Sequence, residues 1–227
     1  MTIWIYVDSM VLEYAKDFLA FTASVSTILQ FLTGVLICQK FVQKGSTGDA
    51  SGFPFVSAFL SCSLWLRYGF LIHDNSIILV NTFGASLQLG YIITYYLYTV
   101  KKSVVTRQTI AACTFLVMVL MYTQYEADET AAKQMLGLLC CFTTIVFFAA
   151  PLTVLAHVIR VKNAESLPYS LILANFLVSL QWFLYGVIIN DTYIQVTNAL
   201  GTFLSASQLS LFVIYRSDSS VGPVQIR

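Results

Sequence analysis

Four polar or aromatic side chains inside long apolar stretches could bind a ligand. Asn81 and Asn198 carry amides, and Trp65 and Trp182 carry indole rings. An amide both donates and accepts hydrogen bonds, whereas a flat aromatic face packs against apolar C–H groups. This combination suits a small neutral ligand that bears hydroxyl groups. Two other interpretations stay open, because intramembrane amides also join neighbouring helices and tryptophans also line membrane interfaces.

The elements that carry these residues belong to a membrane protein. Of the 227 residues, 58% are hydrophobic and 10% are charged, whereas an ordinary soluble domain has about 25% charged residues. A net charge of +1 indicates no nucleic-acid partner. Apolar runs near 18–38, 53–72, 76–99, 108–124, 134–158, 168–189 and 192–215 predict an all-α fold of seven transmembrane helices.

The loop charges predict the orientation. If the N-terminus is outside, nine of the twelve basic residues fall on the cytoplasmic side, and eight of the eleven acidic residues fall outside. Cytoplasmic loops are enriched in Lys and Arg. The sequence therefore predicts an extracytoplasmic N-terminus and, after seven spans, a cytoplasmic C-terminus.

An internal repeat relates the first three spans to the last three. Several unusual residue types coincide at a shift of 117 residues: Trp65 with Trp182, Tyr68 with Tyr185, Gly69 with Gly186, Asp74 with Asp191, Asn81 with Asn198, and Gly84 with Gly201. In the same register Gly34 falls on Pro151. The single span between the units returns the chain across the bilayer, so both three-helix bundles insert in the same orientation. The sequence therefore predicts a 3+1+3 parallel repeat about an axis along the membrane normal.

The predicted organisation has five parts. Residues 1–17 form the extracytoplasmic N-terminus, and residues 18–100 form the first three-helix repeat. Residues 101–133 contain the fourth, linking span. Residues 134–215 form the second repeat, and residues 216–227 form a cytoplasmic tail.

The ordered motifs of the two halves resemble the SWEET family of sugar transporters. The first half contains Gly52-Phe53-Pro54-Phe55, Leu64-Trp65-Leu66-Arg67-Tyr68-Gly69 and Asn81-Thr82-Phe83-Gly84. The second half contains Ala150-Pro151-Leu152, Ser166-Leu167-Pro168-Tyr169, Trp182-Phe183-Leu184-Tyr185-Gly186 and Asn198-Ala199-Leu200-Gly201. The resemblance covers the chain from about residue 18 to residue 215.

The resemblance implies roles for ten residues. Asn81, Asn198, Trp65 and Trp182 would line the substrate pocket, and Tyr68 with Asp191 would close an outer gate. Inner-gate hinges would lie at Pro54, Pro151 and Pro168, with Gly34 at the position where the family has a fourth proline. The alternatives are that Asp191 is a solvated hairpin residue and that Pro54 and Pro168 simply start helices.

The resemblance implies a facilitative, uncoupled, bidirectional sugar uniporter, and the bulk of Trp65 favours a monosaccharide, such as glucose or another hexose, over a disaccharide. No Asp, Glu or Lys lies in the middle of a span, whereas coupled carriers usually need one. No cofactor, metal site or catalytic set is expected, so the chain is not predicted to be an enzyme. The alternatives are a carrier of the same fold for another small solute such as an amino acid, and a seven-helix receptor. The expected location is the plasma membrane, with the Golgi as the alternative, and the resemblance also allows a homo-oligomer.

Overall fold

The computed structural model describes residues 2–164 and 167–215. The predicted tail, residues 216–227, and Ser166 of one motif lie outside the described residues. All regular secondary structure in the described part is helical: α1 Thr2–Lys44, α2 Phe53–Leu71, α3 Asn75–Tyr98, α4 Lys102–Tyr125, α5 Glu129–Phe147, α6 Ala149–Val161, α7 Tyr169–Ile188 and α8 Thr192–Ile214.

Two helices extend beyond their apolar runs. The first run begins at residue 18, but α1 begins at Thr2, since the segment before the run contains neither Pro nor Gly to break a helix. Likewise α4 begins at Lys102 rather than near residue 108. The apolar pattern therefore marks the part of a helix that suits lipid, whereas the helix itself continues into sequence that contains charged residues.

The fifth predicted span is broken into α5 and α6 at Phe148. The cause is Pro151, the third residue of α6, because proline has no N–H to donate and its ring clashes with the carbonyl four residues earlier. That carbonyl belongs to Phe147, where α5 ends. At the repeat-related position α1 has Gly34 and runs without interruption.

The lengths of the helices fit a bilayer. By length and composition, the described residues contain six segments that could cross a membrane, one of them Glu129–Val161 across the break at Phe148. The remaining helix, α2, has 19 residues, about 28 Å at 1.5 Å per residue, and carries Arg67 near its end. The seven predicted spans therefore correspond to eight helical segments.

The chain divides into two compact units between Thr144 and Ile145. In the first unit, α3 packs against α1 and α2, and α2 also packs against α4. One of its cores is formed by buried residues of α1, α2, α3 and α4: Phe41, Val56, Ile92, Tyr95, Val105 and Ala112. The helix that links the two repeats thus packs within the first unit.

The second unit is built mainly from α7 and α8, with α6 against α8. Its glycine contact repeats that of the first unit. A Cβ at Gly84 would meet Phe31 and Cys62, and a Cβ at Gly201 would meet Phe148 and Ser179. All three pairs, 31 with 148, 62 with 179 and 84 with 201, are related by 117 residues. The internal repeat found in the sequence is therefore also a repeat of packing.

Candidate functional site

The two asparagines occupy equivalent places on α3 and α8. Asn81 donates from Nδ2 to the carbonyl oxygen of Ile77 at 2.9 Å, and Asn198 donates in the same way to Ile194 at 2.9 Å. Both side chains are half-buried. A carbonyl oxygen only accepts hydrogen bonds, so the amide nitrogen must face it. Each bond to its own helix holds the carboxamide in one orientation and leaves Oδ1 for another partner.

The two tryptophans also have equivalent surroundings. Trp65 packs edge-to-face on Tyr68, with ring centroids 5.5 Å apart, and Trp182 packs on Tyr185 at the same distance. The indole N–H of Trp65 donates to Oγ1 of Thr144 at 3.2 Å. Because that N–H is occupied, Trp65 offers a ligand its ring face rather than its donor.

Each tryptophan-bearing helix ends in a tight turn of the same geometry. The N–H of Asp74 donates to the carbonyl of Gly69 at 3.0 Å, and the N–H of Asp191 donates to that of Gly186 at 2.9 Å. The residue before each aspartate, His73 or Asn190, has φ near +55°, with values of 56° and 54°. This is a Schellman turn, in which a left-handed residue closes the helix C-terminus. The turn fixes the distance between each tryptophan and the helix that follows it.

The two aspartates cap the next helices. Asp74 accepts from the N–H groups of Ser76 and Ile77, both at 3.0 Å, and Asp191 accepts from Tyr193 and Ile194, both at 3.1 Å. A carboxylate in this position satisfies free N–H groups and complements the helix dipole. Asp191 therefore has a structural function in the second unit, and its pairing with the fully buried Tyr68 stays a prediction.

The predicted hinge positions differ in local structure. A Cβ at Gly34 would collide with the ring of Tyr91, whose hydroxyl donates to the carbonyl of Phe31 at 2.9 Å. Gly34 is thus required for close contact between α1 and α3. In the second unit, Pro151 interrupts the helix and its carbonyl accepts from Nε2 of Gln208 at 3.3 Å.

The other two prolines stand at helix starts. Pro54 lies in the first turn of α2, and Pro168 is the N-cap residue of α7. Proline is favoured there because the missing N–H would have no intrahelical partner. Their placement accounts for the residue type without a hinge, so a gating function for these two residues stays a prediction.

Two side-chain contacts near these residues could not be predicted from the sequence. Arg67 donates from Nε to Oγ1 of Thr123 at 2.9 Å and from Nη2 to its carbonyl at 3.0 Å. It thereby ties α2 to the C-terminal end of α4, where the helix dipole favours a cation. The second contact joins Nδ2 of Asn198 to Oγ1 of Thr197 at 3.5 Å. The sequence does not indicate it, because threonine is common in apolar helices and the repeat-related residue of α3 is Val80.

Comparison with known proteins agrees with this duplicated architecture. The family model described as "Sugar efflux transporter for intercellular exchange" matches the chain twice, at residues 17–103 and 134–220. A sugar transporter SWEET1 of Drosophila pseudoobscura pseudoobscura is 50% identical over 92% of this chain and 93% of its own length. A bidirectional sugar transporter SWEET2 of Arabidopsis thaliana is 30% identical over 92% of this chain and 90% of its own length.

The fold agrees as well. A solved structure of a eukaryotic SWEET transporter superposes with a TM-score of 0.85 at 26% sequence identity, covering 92% of this chain and all of the solved chain. These relatives are transporters rather than enzymes. Together with the motifs, the repeat and the apolar helices, the matches show that the chain is a multi-pass membrane protein and belongs to the SWEET family of sugar transporters.

Proposed function

We propose that this protein is a facilitative, uncoupled, bidirectional uniporter for a monosaccharide such as glucose. The observation that carries the proposal is the duplicated set of neutral recognition groups, in which each unit holds one half-buried asparagine and one tryptophan–tyrosine pair. Amides and aromatic faces are the groups that recognise a hydroxylated, uncharged ring. The relatives named sugar transporters support the same substrate class.

The substrate-binding residues in this proposal are Asn81, Asn198, Trp65 and Trp182. The amides would bind hydroxyl groups and the indole faces would pack against the apolar face of the ring. Trp65 favours a monosaccharide, because its indole ring is bulky and leaves less room for a second sugar ring. The bond from its N–H to Thr144 holds the ring in this position.

Sugar transport is proposed to be independent of proton and sodium gradients because of the kinds of polar residues in the spans. In α3 and α8 every polar side chain is an uncharged amide, hydroxyl or phenol. Such groups bind a sugar without changing their charge, so a proton or sodium gradient has no group on these helices to act on. Transport would then follow the sugar gradient in either direction.

Alternating access is proposed to use different residues at the two ends. Tyr68 and Asp191 would close the outer gate. The inner gate would be formed by Gly34, Pro54, Pro151 and Pro168, with the break at Phe148 as the joint between α5 and α6. The charge distribution supports an outer N-terminus and a cytoplasmic C-terminus. We place the protein in the plasma membrane, with the Golgi as the alternative, and allow assembly into a homo-oligomer.

The test is entry of radiolabelled glucose into proteoliposomes. The wild-type protein is compared with Asn81→Ala and Asn198→Ala, with and without a pH gradient. We expect saturable entry that is indifferent to pH and strongly reduced in both variants. Entry that follows the pH gradient would contradict uncoupled transport. Entry of an amino acid but no sugar would favour the other carrier, and binding without entry would favour a receptor.

A further inference from the structure

The two candidate asparagines differ in one neighbour. In α8 the residue before Asn198 is Thr197, which is 2% exposed. Its hydroxyl donates to the carbonyl of Tyr193 at 2.8 Å, so only its lone pairs are left for other groups. Nδ2 of Asn198 lies 3.5 Å from that oxygen, in addition to its 2.9 Å bond to Ile194.

In α3 the residue before Asn81 is Val80, which is 3% exposed. Valine has the shape of threonine but offers no acceptor. Asn81 therefore has a carbonyl of its own helix as partner for one amide hydrogen, whereas Asn198 has, besides its carbonyl partner, a second acceptor oxygen at the long distance of 3.5 Å. Thr197 and Val80 are related by the 117-residue shift, so the repeat itself provides the comparison.

We infer that Thr197 is a positioning residue that makes Asn198 a hydrogen-bond acceptor only, whereas Asn81 both donates and accepts. The inference rests on the proposed function and deepens it. Oδ1 of Asn198 would accept a hydrogen bond from a sugar hydroxyl. Asn81 would bind another hydroxyl by accepting a hydrogen bond at Oδ1 and donating one from its second N–H. The substrate class is thus a polyol with at least one hydroxyl that must donate.

Fluorinated sugars distinguish the two kinds of recognition. Replacing a hydroxyl by hydrogen removes both donor and acceptor, whereas replacing it by fluorine removes only the donor. An asparagine that can donate retains some affinity for the fluoro analogue. An asparagine that only accepts gains nothing from fluorine, since two electronegative atoms then face each other.

The experiment measures inhibition of glucose entry into proteoliposomes by deoxy and deoxyfluoro glucoses modified at each ring position. The hydroxyl that each asparagine binds is assigned by direct binding of the analogues to purified protein, because the alanine variants transport little: it is the hydroxyl whose removal no longer weakens binding to Asn198→Ala or to Asn81→Ala. For that hydroxyl we compare the inhibition constants of the fluoro and deoxy analogues. The variants are Thr197→Val, Thr197→Ser and the converse change Val80→Thr.

In the wild-type protein we expect the fluoro analogue to bind no better than the deoxy analogue at the Asn198 position, and better at the Asn81 position. Thr197→Val removes the acceptor oxygen next to this N–H, so the inhibition constant of the fluoro analogue should fall relative to that of the deoxy analogue, by at most about tenfold, the upper range for one hydrogen bond. Thr197→Ser should keep the wild-type ratio. Val80→Thr should remove the fluoro preference at the Asn81 position.

Two results would overturn the inference while leaving the proposed function intact: a fluoro preference at the Asn198 position in the wild-type protein, or unchanged ratios in both Thr197→Val and Val80→Thr. A general loss of entry in Thr197→Val without a change in ratio would show a structural effect and would count against the inference. Absence of sugar inhibition in the wild-type protein would overturn the proposed function, and the inference with it.

Discussion

The glycines at the helix contacts of the two units provide a matched pair of substitutions. A Cβ at Gly84 would lie 2.6 Å from Cε2 of Phe31 and 2.9 Å from Sγ of Cys62. A Cβ at Gly201 would lie 3.3 Å from Cβ of Ser179 and 3.4 Å from Cζ of Phe148. The first distances are severe overlaps, whereas the second are slightly tight contacts. We therefore expect Gly84→Ala to destabilise the protein more than Gly201→Ala.

The magnitude follows from the difference between the two variants. Replacing glycine by alanine within a helix gains about 1 kcal/mol of helix propensity at either site, so this contribution cancels. Overpacking costs about 1–3 kcal/mol and applies in full only at Gly84, where Phe31 and the buried Cys62 must both shift. Gly84→Ala should thus be about 1–3 kcal/mol less stable than Gly201→Ala.

The assay is thermal unfolding of the purified protein in detergent, followed by loss of the monodisperse peak or by tryptophan fluorescence. For a chain of this size 1 kcal/mol corresponds to about 2–4 °C in Tm, so the two variants should differ by at least about 2 °C. Phe31→Leu combined with Gly84→Ala should recover part of the loss, because the smaller side chain makes room. Equal Tm values, or a lower value for Gly201→Ala, would refute the packing argument.

Three further predictions concern the hairpins, the linking helix and the hinge. Asp74→Ala and Asp191→Ala should each lower the free energy of unfolding by about 1 kcal/mol through loss of a helix cap. Asparagine at either site should retain most of the capping stabilisation, and thermal unfolding measures the stability of all four variants. Arg67→Leu should lower stability by about 1–3 kcal/mol, because it removes two charge-assisted bonds to Thr123, and the proteolytic susceptibility of the end of α4 should rise. Pro151→Ala should join α5 to α6 and slow glucose transport, while hydrogen exchange at the break decreases; unchanged transport would argue against a hinge there.

The sequence was sufficient for the fold class and the repeat because both depend on spacing. The 117-residue shift aligns Trp65 with Trp182, and in the structure each ring packs at 5.5 Å on the tyrosine three residues later, Tyr68 or Tyr185. Helix ends were less predictable. The charged residues near the start of α1 do not interrupt the helix, since the segment contains no proline or glycine.

The side-chain partners could not be read from the sequence. The bond from Arg67 to Thr123 joins residues that are 56 positions apart, and nothing in the local pattern around either residue indicates the other. Asp191 illustrates a related limit: its cap could be inferred from its place before an apolar run, whereas the family resemblance drew attention to a gate. Local rules and resemblance thus assigned different functions to one side chain, and the structure displays the local one.

The central claim, that the protein is a sugar carrier with one recognition group in each repeat, is tested most directly by counterflow. Proteoliposomes are preloaded with unlabelled glucose and diluted into a trace of labelled glucose at equal pH on both sides. We predict a transient accumulation of label above its equilibrium level, absent in Asn81→Ala and in Asn198→Ala. A wild-type protein that equilibrates label without any overshoot, or an overshoot retained in both variants, would contradict the account.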